Sequence, residues 1–252
     1  MNIPFYSQFG EDSFLDEIFK NKPAGTCLEV GALDGIKDSI TLHFEKQGWS
    51  CILVEANPEL AEKARFNRQA QVFSCAAGSR SGTVEFLIAH GAEYLSTMIE
   101  TTYNVSRMEK DGATVERVKV PMRQVDDILH EAKVQTLDFA TIDVEGAELE
   151  VLRGFDLQKW KPRVLVMEDI SGGHDRRVRR YLAGKAYRCF HNDGLNDWYA
   201  AKDDRELLTP HRVVAQYRRR IRRRLYEWTM AWLPEPTQEN LIKLKRRWLS
   251  KL

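Results

Sequence analysis

Thr26-Cys-Leu-Glu-Val-Gly-Ala-Leu-Asp-Gly35 is the stretch that decides the fold of this 252-residue chain. An apolar run leads to the acidic Glu29, and Gly31 and Gly35 frame the turn into a predicted helix. Glycine lets the backbone approach a ligand closely, and the following helix presents its N-terminus. The pattern therefore predicts a strand, a turn and a helix that hold a nucleotide-like ligand at the carboxyl edge of a parallel sheet.

A second acidic residue identifies the kind of nucleotide. Glu55 ends the apolar run Cys51-Ile-Leu-Val-Glu55, at the distance where such folds place a carboxylate for ribose hydroxyls. The first loop lacks the glycine spacing of a dinucleotide site, and Glu29 and Asp34 would repel a diphosphate. An acidic loop suits a ligand with an amino group and a sulfonium, so the sequence predicts S-adenosylmethionine and disfavours NAD. A turn without any ligand is the simpler alternative.

The rest of the chain alternates between strand and helix patterns, which predicts an α/β fold with a doubly wound, mostly parallel sheet. Strands are predicted at 26–30, 50–55, 71–75, 83–88, 137–142 and 163–167, with a terminal hairpin of 187–191 and 198–201. Helices are predicted after Ser7 and at 37–47, 58–68, 124–132, 147–153 and 175–184. Residues 89–118 show no clear period, which predicts a loop-rich insertion over the site.

Composition and charge divide the chain into two parts. No run of about 18 apolar residues is present, and the N-terminus does not resemble a secretory signal, so a cytoplasmic protein is expected. Residues 212–252 contain twelve Lys or Arg against three Glu, so the remainder of the chain is acidic. We expect a domain over 1–205 and a basic, amphipathic helical extension over 206–252.

The basic tail has three interpretations. Apolar residues recur at helical spacing and share a face, beside many arginines. The residues of this face are Val214, Tyr217, Ile221, Leu225, Trp228 and Trp232. They could pack on the domain or on a second subunit of a homo-oligomer, or lie in an anionic membrane surface, giving a peripheral membrane protein. Nucleic-acid binding is disfavoured, because the tryptophans lie on the aliphatic face.

Eight short motifs stand in the order seen in FkbM-type methyltransferases, which the chain resembles over about residues 5–200. They are Ser7-Gln-Phe-Gly-Glu-Asp12, Glu29-Val-Gly-Ala-Leu-Asp-Gly35, Gly48-Trp49, Val54-Glu55-Ala-Asn-Pro58, Ile142-Asp-Val-Glu-Gly-Ala-Glu148, Val151-Leu-Arg-Gly-Phe155, Arg163-Val-Leu-Val-Met-Glu168 and Asn196-Asp-Trp-Tyr199. The resemblance implies a class I, Rossmann-like fold and S-adenosylmethionine-dependent O-methylation, commonly of hydroxyls on sugars or polyketides. One departure is Ser39-Ile40-Thr41, where the family often has Ser-Asn-Thr.

The candidate donor-binding residues follow the strand ends. Glu29, Gly31 and Gly35 are expected at the methionine end of the donor, and Glu55 at the ribose hydroxyls. Ala76, after the next strand, is expected at the adenine edge. The resemblance adds Gln8 over the pocket. Asp143, at the end of a later strand, is expected where donor and acceptor meet.

Three carboxylates are candidates for the chemistry. Asp143, Glu168 and Asp169 end adjacent predicted strands and could together bind Mg²⁺, which would acidify a sugar hydroxyl. Without a metal, Asp143, Glu168 or His174 would serve as the base. There are simpler alternatives. One or two of Asp143, Glu145 and Glu148 could merely complement a helix N-terminus, Glu168 could orient the substrate by hydrogen bonding, Asp169 could face solvent, and His174 could be a surface residue.

These observations predict an S-adenosylmethionine-dependent O-methyltransferase that acts on a sugar hydroxyl of a glycan or glycolipid. Two alternatives remain. One is an RNA methyltransferase that uses the basic tail, and the other is a non-catalytic protein that keeps the fold for binding.

Overall fold

Helices and strands alternate along the residues that the computed structural model describes, which are 3–169, 171, 175–216, 218 and 221. The chain divides into two units, Met1–Leu208 and Thr209–Leu252. Most of the predicted basic tail lies outside the described residues, so its helical form and the boundary at 205/206 stay predictions. Among the described residues no helix is long and apolar enough to cross a membrane.

A seven-stranded sheet forms the centre of the first unit. Its strands are β1 (Thr26–Val30), β2 (Ser50–Glu55), β3 (Gln71–Ser74), β7 (Phe139–Ile142), β8 (Val164–Glu168), β9 (Tyr187–Asn192) and β10 (Asn196–Ala201). They are ordered β3-β2-β1-β7-β8-β10-β9, and the first five run parallel. β10 is antiparallel to both of its neighbours, as the predicted terminal hairpin requires. The doubly wound, mostly parallel fold is confirmed.

Both faces of this sheet are buried because the strands alternate between two apolar clusters. Leu28 and Val30 of β1 lie in one cluster with Ile52 and Ala140, whereas Cys27 lies in the other. The flanking helices are α1 (Glu11–Phe19), α2 (Leu42–Lys46), α3 (Pro58–Asn67), α5 (Val125–Glu131), α6 (Glu148–Arg153) and α7 (Arg177–Gly184). Burial on two sides explains the continuous apolar runs of these strands.

Residues 82–123 form what we call the covering segment. The strand predicted at 83–88 is confirmed as β5 (Gly82–His90), but the loop-rich prediction for 89–118 was wrong. That stretch contains a 3-10 turn (Glu93–Leu95), α4 (Thr102–Lys110) and most of β6 (Thr114–Arg123). β5 and β6 pair antiparallel along their length, and the short β4 (Ala76–Ala77) completes a second sheet. The charged residues of β6 face solvent and give it too few apolar positions for a strand to be predicted.

Two helices begin later than predicted, for identifiable reasons. The first starts at Glu11 after Gly10, which has a left-handed backbone, and Ser7 instead hydrogen-bonds to Asp12. The helix predicted at 37–47 is reduced to Leu42–Lys46, because Asp38 has a φ of 58° and the next three residues form a loop. The first difference comes from local backbone and side-chain contacts, whereas in the second Ser39 and Thr41 hydrogen-bond to Glu29 of β1.

Candidate active site

The candidate site lies at the carboxyl ends of β1 and β7, the point where the strand order reverses. Parallel α/β sheets bind ligands in the crevice at such a switch point. Gly31 has a φ of 89°, and a Cβ built on it would lie 1.8 Å from the carbonyl oxygen of Asp143. Glycine is therefore required here so that the two loops can pass each other.

The first cavity, with about 600 Å³ of space that includes its opening to solvent, brings together four of the predicted donor residues: Gly31, Glu55, Ala76 and Asp143. β1, β2, β4 and β7 supply them from the floor. The covering segment closes the cavity from the other side with side chains that sequence reasoning missed. These are Phe86, Glu93, Tyr94, Ser96 and Met98. The predicted position of 89–118 over the site is thus observed, although its predicted structure is not.

Glu55 is buried at the end of β2, and both of its carboxylate oxygens accept backbone hydrogen bonds. Oε2 accepts from the N–H of Leu33 and Oε1 from the N–H of Asn57, each at 2.8 Å. Burial raises the pKa of Glu55 to about 7, against the opposing effect of these hydrogen bonds. The carboxylate is thus fixed at the cavity wall, with lone pairs that remain available for ribose hydroxyls.

The second cavity adjoins the first through Gly31 and Asp143. Gln8, Glu29 and Glu168 also line it, so it contains predicted donor residues and one predicted catalytic residue. The Glu29 carboxylate, however, already accepts hydrogen bonds from Ser39 Oγ, Ile40 N and Thr41 Oγ1. Glu29 therefore anchors the loop after β1, and its direct contact with a donor stays a prediction.

Gly35 lies away from the cavities and against α3. A Cβ on Gly35 would come within 2.8 Å of Arg68 Cγ and 3.3 Å of Ala64, and its φ is 79°. Its carbonyl oxygen accepts a hydrogen bond from Arg68 Nη1 at 2.7 Å. The observed reason for this glycine is close packing of the loop on a helix, and its predicted role at the donor stays a prediction.

A cluster of three carboxylates stands where the cavities meet. Carboxylate oxygens of Asp143, Glu145 and Glu168 lie within 4.8 Å of one another. Burial, followed by the neighbouring carboxylates, raises the pKa of both Asp143 and Glu168, so the pair retains a proton at neutral pH. Asp143 nevertheless exposes its oxygens to the cavity, whereas Glu168 Oε2 is buried without a hydrogen-bond partner.

The third member of the predicted metal set lies outside this cluster. Asp169 accepts a hydrogen bond from Ser171 Oγ at 2.5 Å, and Glu145 takes its place beside Asp143 and Glu168. The sequence signal for Glu145 was the Asp143-Val-Glu-Gly146 motif, but complementing a helix N-terminus was the one role considered for this glutamate. His174, the predicted base, lies outside the described residues.

Glu145 also joins the covering segment to the sheet edge. Its carboxylate forms an ion pair with Arg107 of α4, and its carbonyl oxygen accepts from Thr97 Oγ1 at 3.1 Å and Asn104 Nδ2 at 3.3 Å. Its φ of 52° is unusual for a residue other than glycine. These contacts lie far apart in the sequence, so no local pattern could have predicted them.

A third cavity begins on the other side of Glu168, which lines both it and the second cavity. It has about 1290 Å³ of open space, and its polar and aromatic lining includes Tyr103, Asn104, Glu148, Asp169, Arg177, Arg179, Asp197 and Tyr199. Arg179 pairs with Asp197 at 2.9 Å, and Tyr199 donates to the same carboxylate at 3.0 Å. The predicted motif Asn196-Asp-Trp-Tyr199 therefore contributes to this wall.

The strand order and the glycine turn at the switch point are those of a class I, Rossmann-like methyltransferase fold. A family profile described as the methyltransferase FkbM domain matches residues 29–189. Since this is more than half of the sequence, the chain belongs to the FkbM methyltransferase family. No curated protein matches the sequence significantly.

Solved structures of methyltransferases resemble the chain at a distance. The METTL16 methyltransferase domain is 12% identical with a TM-score of 0.43, over 77% of this chain and 66% of that chain. TrmK from M. capricolum, in complex with S-adenosylhomocysteine, is 11% identical with a TM-score of 0.40, over 93% and 92%. A putative caffeoyl-CoA O-methyltransferase from Staphylococcus aureus is 12% identical with a TM-score of 0.37, over 79% and 86%.

Proposed function

We propose that this methyltransferase transfers the methyl group of S-adenosylmethionine to a hydroxyl of a sugar in a glycan or glycolipid. The observation that carries the proposal is the position of two carboxylates between the cavities. Asp143 lines the first and second cavities, and Glu168 lines the second and third. A proton acceptor thus stands between a cavity suited to the donor and a separate, larger cavity.

The reaction needs a base because an alcohol is a weak nucleophile. The acceptor oxygen attacks the methyl carbon, the carbon–sulfur bond breaks, and its electron pair stays on sulfur to give S-adenosylhomocysteine. The hydroxyl proton passes to the Asp143 carboxylate, while Glu168 keeps the proton that the pair retains at neutral pH. Burial raises the pKa of Asp143 to about 7, which favours this role, since a base works best when its pKa lies near the operating pH.

The third cavity supports a polyhydroxylated acceptor. Its carboxylates, such as Glu148 and Asp169, can accept hydrogen bonds from hydroxyl groups, and Arg177 can donate to them. Tyr103 is 56% exposed and offers a flat apolar surface to a sugar ring. Arg177 and Arg179 are each balanced by a carboxylate, and Glu148 and Asp169 add negative charge, so the lining favours neutral hydroxyls over the phosphates of an RNA backbone.

A divalent cation would fit the same cluster. Asp143, Glu145 and Glu168 offer only oxygen ligands, which Mg²⁺ prefers, although Arg107 already pairs with Glu145. A bound cation would act as a Lewis acid toward the acceptor hydroxyl. Turnover measured after EDTA treatment and again after addition of Mg²⁺ tests this part of the proposal. Unchanged turnover would show that the carboxylate pair acts without a metal.

Two measurements test the proposed function. The first is calorimetric binding of S-adenosylmethionine to the wild type, Glu55→Ala and the matched control Glu59→Ala, with NAD as a negative ligand. Glu59 is exposed on α3, so only Glu55→Ala is expected to weaken binding. The second is methyl transfer to a panel of oligosaccharides, glycolipids and RNA. Products bearing a new O-methyl group on a sugar ring would support the proposal, and methylated RNA bases would contradict it.

The basic tail gives the RNA alternative and the membrane alternative a common test. The full chain and a variant lacking residues 212–252 are compared for binding to anionic vesicles and to RNA at several salt concentrations. Tail-dependent binding to anionic vesicles would support a lipid-carried acceptor and a peripheral membrane location. Tail-dependent, salt-sensitive RNA binding without vesicle binding would favour the RNA alternative.

A further inference from the structure

Lys37 lies where the first two cavities meet. Its side chain lines the second cavity, and its Nζ is 5.5 Å from the centroid of the Tyr94 ring, which lines the first. The backbone N–H of Lys37 donates to Asp34 Oδ1 at 2.8 Å, which holds the residue in the loop after β1. The side chain is exposed, so its ammonium is accessible to a ligand that spans both cavities.

The remaining charged groups of these two cavities are acidic. They are Glu11, Glu29, Asp38, Glu55, Glu93, Asp143, Glu145 and Glu168. Within the part of the chain that the structure describes, Lys37 is the one basic side chain that lines either cavity. Its ammonium forms no ion pair with a carboxylate of the described residues.

The backbone of the β1 loop offers an anion little help. The N–H groups of Gly31 and Ala32 both donate to the carbonyl oxygen of Val54, at 2.9 and 3.3 Å. The N–H of Leu33 donates to Glu55. An anionic ligand group in this cleft would therefore face acidic side chains and occupied N–H groups, with Lys37 as its available cation.

S-Adenosylmethionine carries such an anionic group. Its sulfonium and its amino group suit the acidic lining, but the α-carboxylate of its methionine moiety does not. With adenosine in the first cavity and Glu55 at the ribose, the methionine moiety extends into the second cavity. We propose that Lys37 Nζ binds this α-carboxylate, an assignment that rests on donor binding in the first cavity.

The test compares ligands with and without the carboxylate by calorimetry. Lys37→Met is expected to weaken S-adenosylmethionine binding by about 10- to 100-fold, the value of a hydrogen bond to a charged group. Binding of 5′-methylthioadenosine and of decarboxylated S-adenosylmethionine, which lack the carboxylate, is expected to stay unchanged. Lys37→Arg is expected to retain most of the affinity because it keeps the positive charge.

The control variant Lys20→Met removes an exposed lysine that lines none of the three cavities. Unfolding curves of each variant show whether the fold is intact. Unchanged S-adenosylmethionine affinity in Lys37→Met would overturn the proposal, and so would an equal loss for 5′-methylthioadenosine. If the wild type bound 5′-methylthioadenosine but not S-adenosylmethionine, the donor function itself would fail.

Discussion

The carboxyl edge of the parallel sheet and the covering segment face the same cavity but are built in different ways. The edge belongs to strands that are buried on both faces and paired in register, such as Leu28 with Ile52 and with Ala140. The covering segment has a small apolar cluster of its own and a largely exposed β6. It meets the edge through polar contacts to Glu145 and through a second cluster, in which Phe86, Val120 and Met122 pack with Ala56 and Ala76.

Because of this difference, we expect the stability of the domain and its affinity for a ligand to depend on different residues. A change at the edge disturbs the core of the domain, because loops and strands there are in direct contact. A change in the contacts of the covering segment leaves the parallel sheet in place and opens one wall of the first cavity. We therefore expect substitutions at the edge to change the free energy of unfolding, and substitutions in the cover to change ligand affinity.

Gly31→Ala is the strongest test of the edge. The new Cβ would lie 1.8 Å from the Asp143 carbonyl oxygen, at a φ of 89°. We expect the free energy of unfolding to fall by at least about 4 kcal/mol, as for the most disruptive single substitutions. Gly48→Ala is the matched control, because Gly48 has a φ of 91° with nothing within 4 Å of a Cβ. Its expected cost is about 1–2 kcal/mol, from backbone strain alone.

Denaturant unfolding of the two variants measures this contrast. Equal losses of stability would mean that backbone strain, not the close approach of the two loops, accounts for the glycine at position 31. In that case the edge would be less tightly built than its geometry indicates.

Asp143→Asn tests the chemistry of the edge without changing its packing volume. Loss of a proton acceptor is expected to lower turnover by about 10²- to 10³-fold. Wild-type turnover should rise with pH as Asp143 loses its proton at about pH 7. In Asp143→Asn, Glu168 is the remaining acid of the pair, so the residual activity should follow the titration of Glu168 and no longer that of Asp143.

The readout is a pH profile of turnover under saturating donor, with the exposed Asp203→Asn as control. A profile of unchanged shape in Asp143→Asn would argue against a coupled pair. Full activity would remove Asp143 from the proposed mechanism.

The edge and the cover also differ in how far they could be predicted from the sequence. The turn at Gly31, the acid at the end of β2 and Asp143 after β7 all follow apolar runs, and parallel strands bring such ends together. Local patterns therefore predicted the first cavity's floor. The hydrogen bonds of Glu29 within the loop were not predicted, because its partners Ser39 and Thr41 lie in a segment whose pattern is helical.

The cover could not be predicted in the same way, because its structure depends on pairing across distance. β5 and β6 pair from Gly82 with Met122 to His90 with Thr114, across an intervening helix. Arg107 and Glu145 are 38 residues apart and show no motif in common. Asp169 was predicted to join Asp143 and Glu168 in a metal site, but Glu145 lies beside them instead. The reason is related, since the adjacency of strand ends does not determine which carboxylates turn inward.

Glu55→Gln tests whether burial at the edge of the sheet keeps water away from the Glu55 carboxylate. The folded pKa is raised to about 7, so the protonated form is favoured in the folded state. The resulting stability is fully present below the unfolded pKa, near the ordinary value of 4.5, and is lost as pH rises through about 7. A shift of this size corresponds to about 3 kcal/mol for this buried group.

Urea unfolding at about pH 5 and about pH 8 measures the difference between wild type and Glu55→Gln. Wild-type stability should fall relative to the variant as pH increases, since glutamine does not titrate. No change in that difference would mean that water reaches Glu55 freely, and that neither the edge nor the cover shields it.

Arg107→Met removes the ion pair that joins the covering segment to the edge of the sheet, and its expected effect is the smallest of the four substitutions. Loss of the ion pair leaves Glu145 without its cation and loosens the wall formed by Tyr94 and Met98. We expect S-adenosylmethionine affinity to fall by about tenfold, or about 1.4 kcal/mol, with the sheet unaffected. The control is Arg117→Met, an exposed arginine of β6 that pairs with Glu100. Its expected effect on affinity is negligible, because exposed ion pairs contribute little.

Hydrogen exchange of residues 93–110 should increase in Arg107→Met while β1 and β7 stay protected. If the strands of the edge lost protection as well, the two regions would unfold as one unit, and stability could not be separated from affinity in this fold.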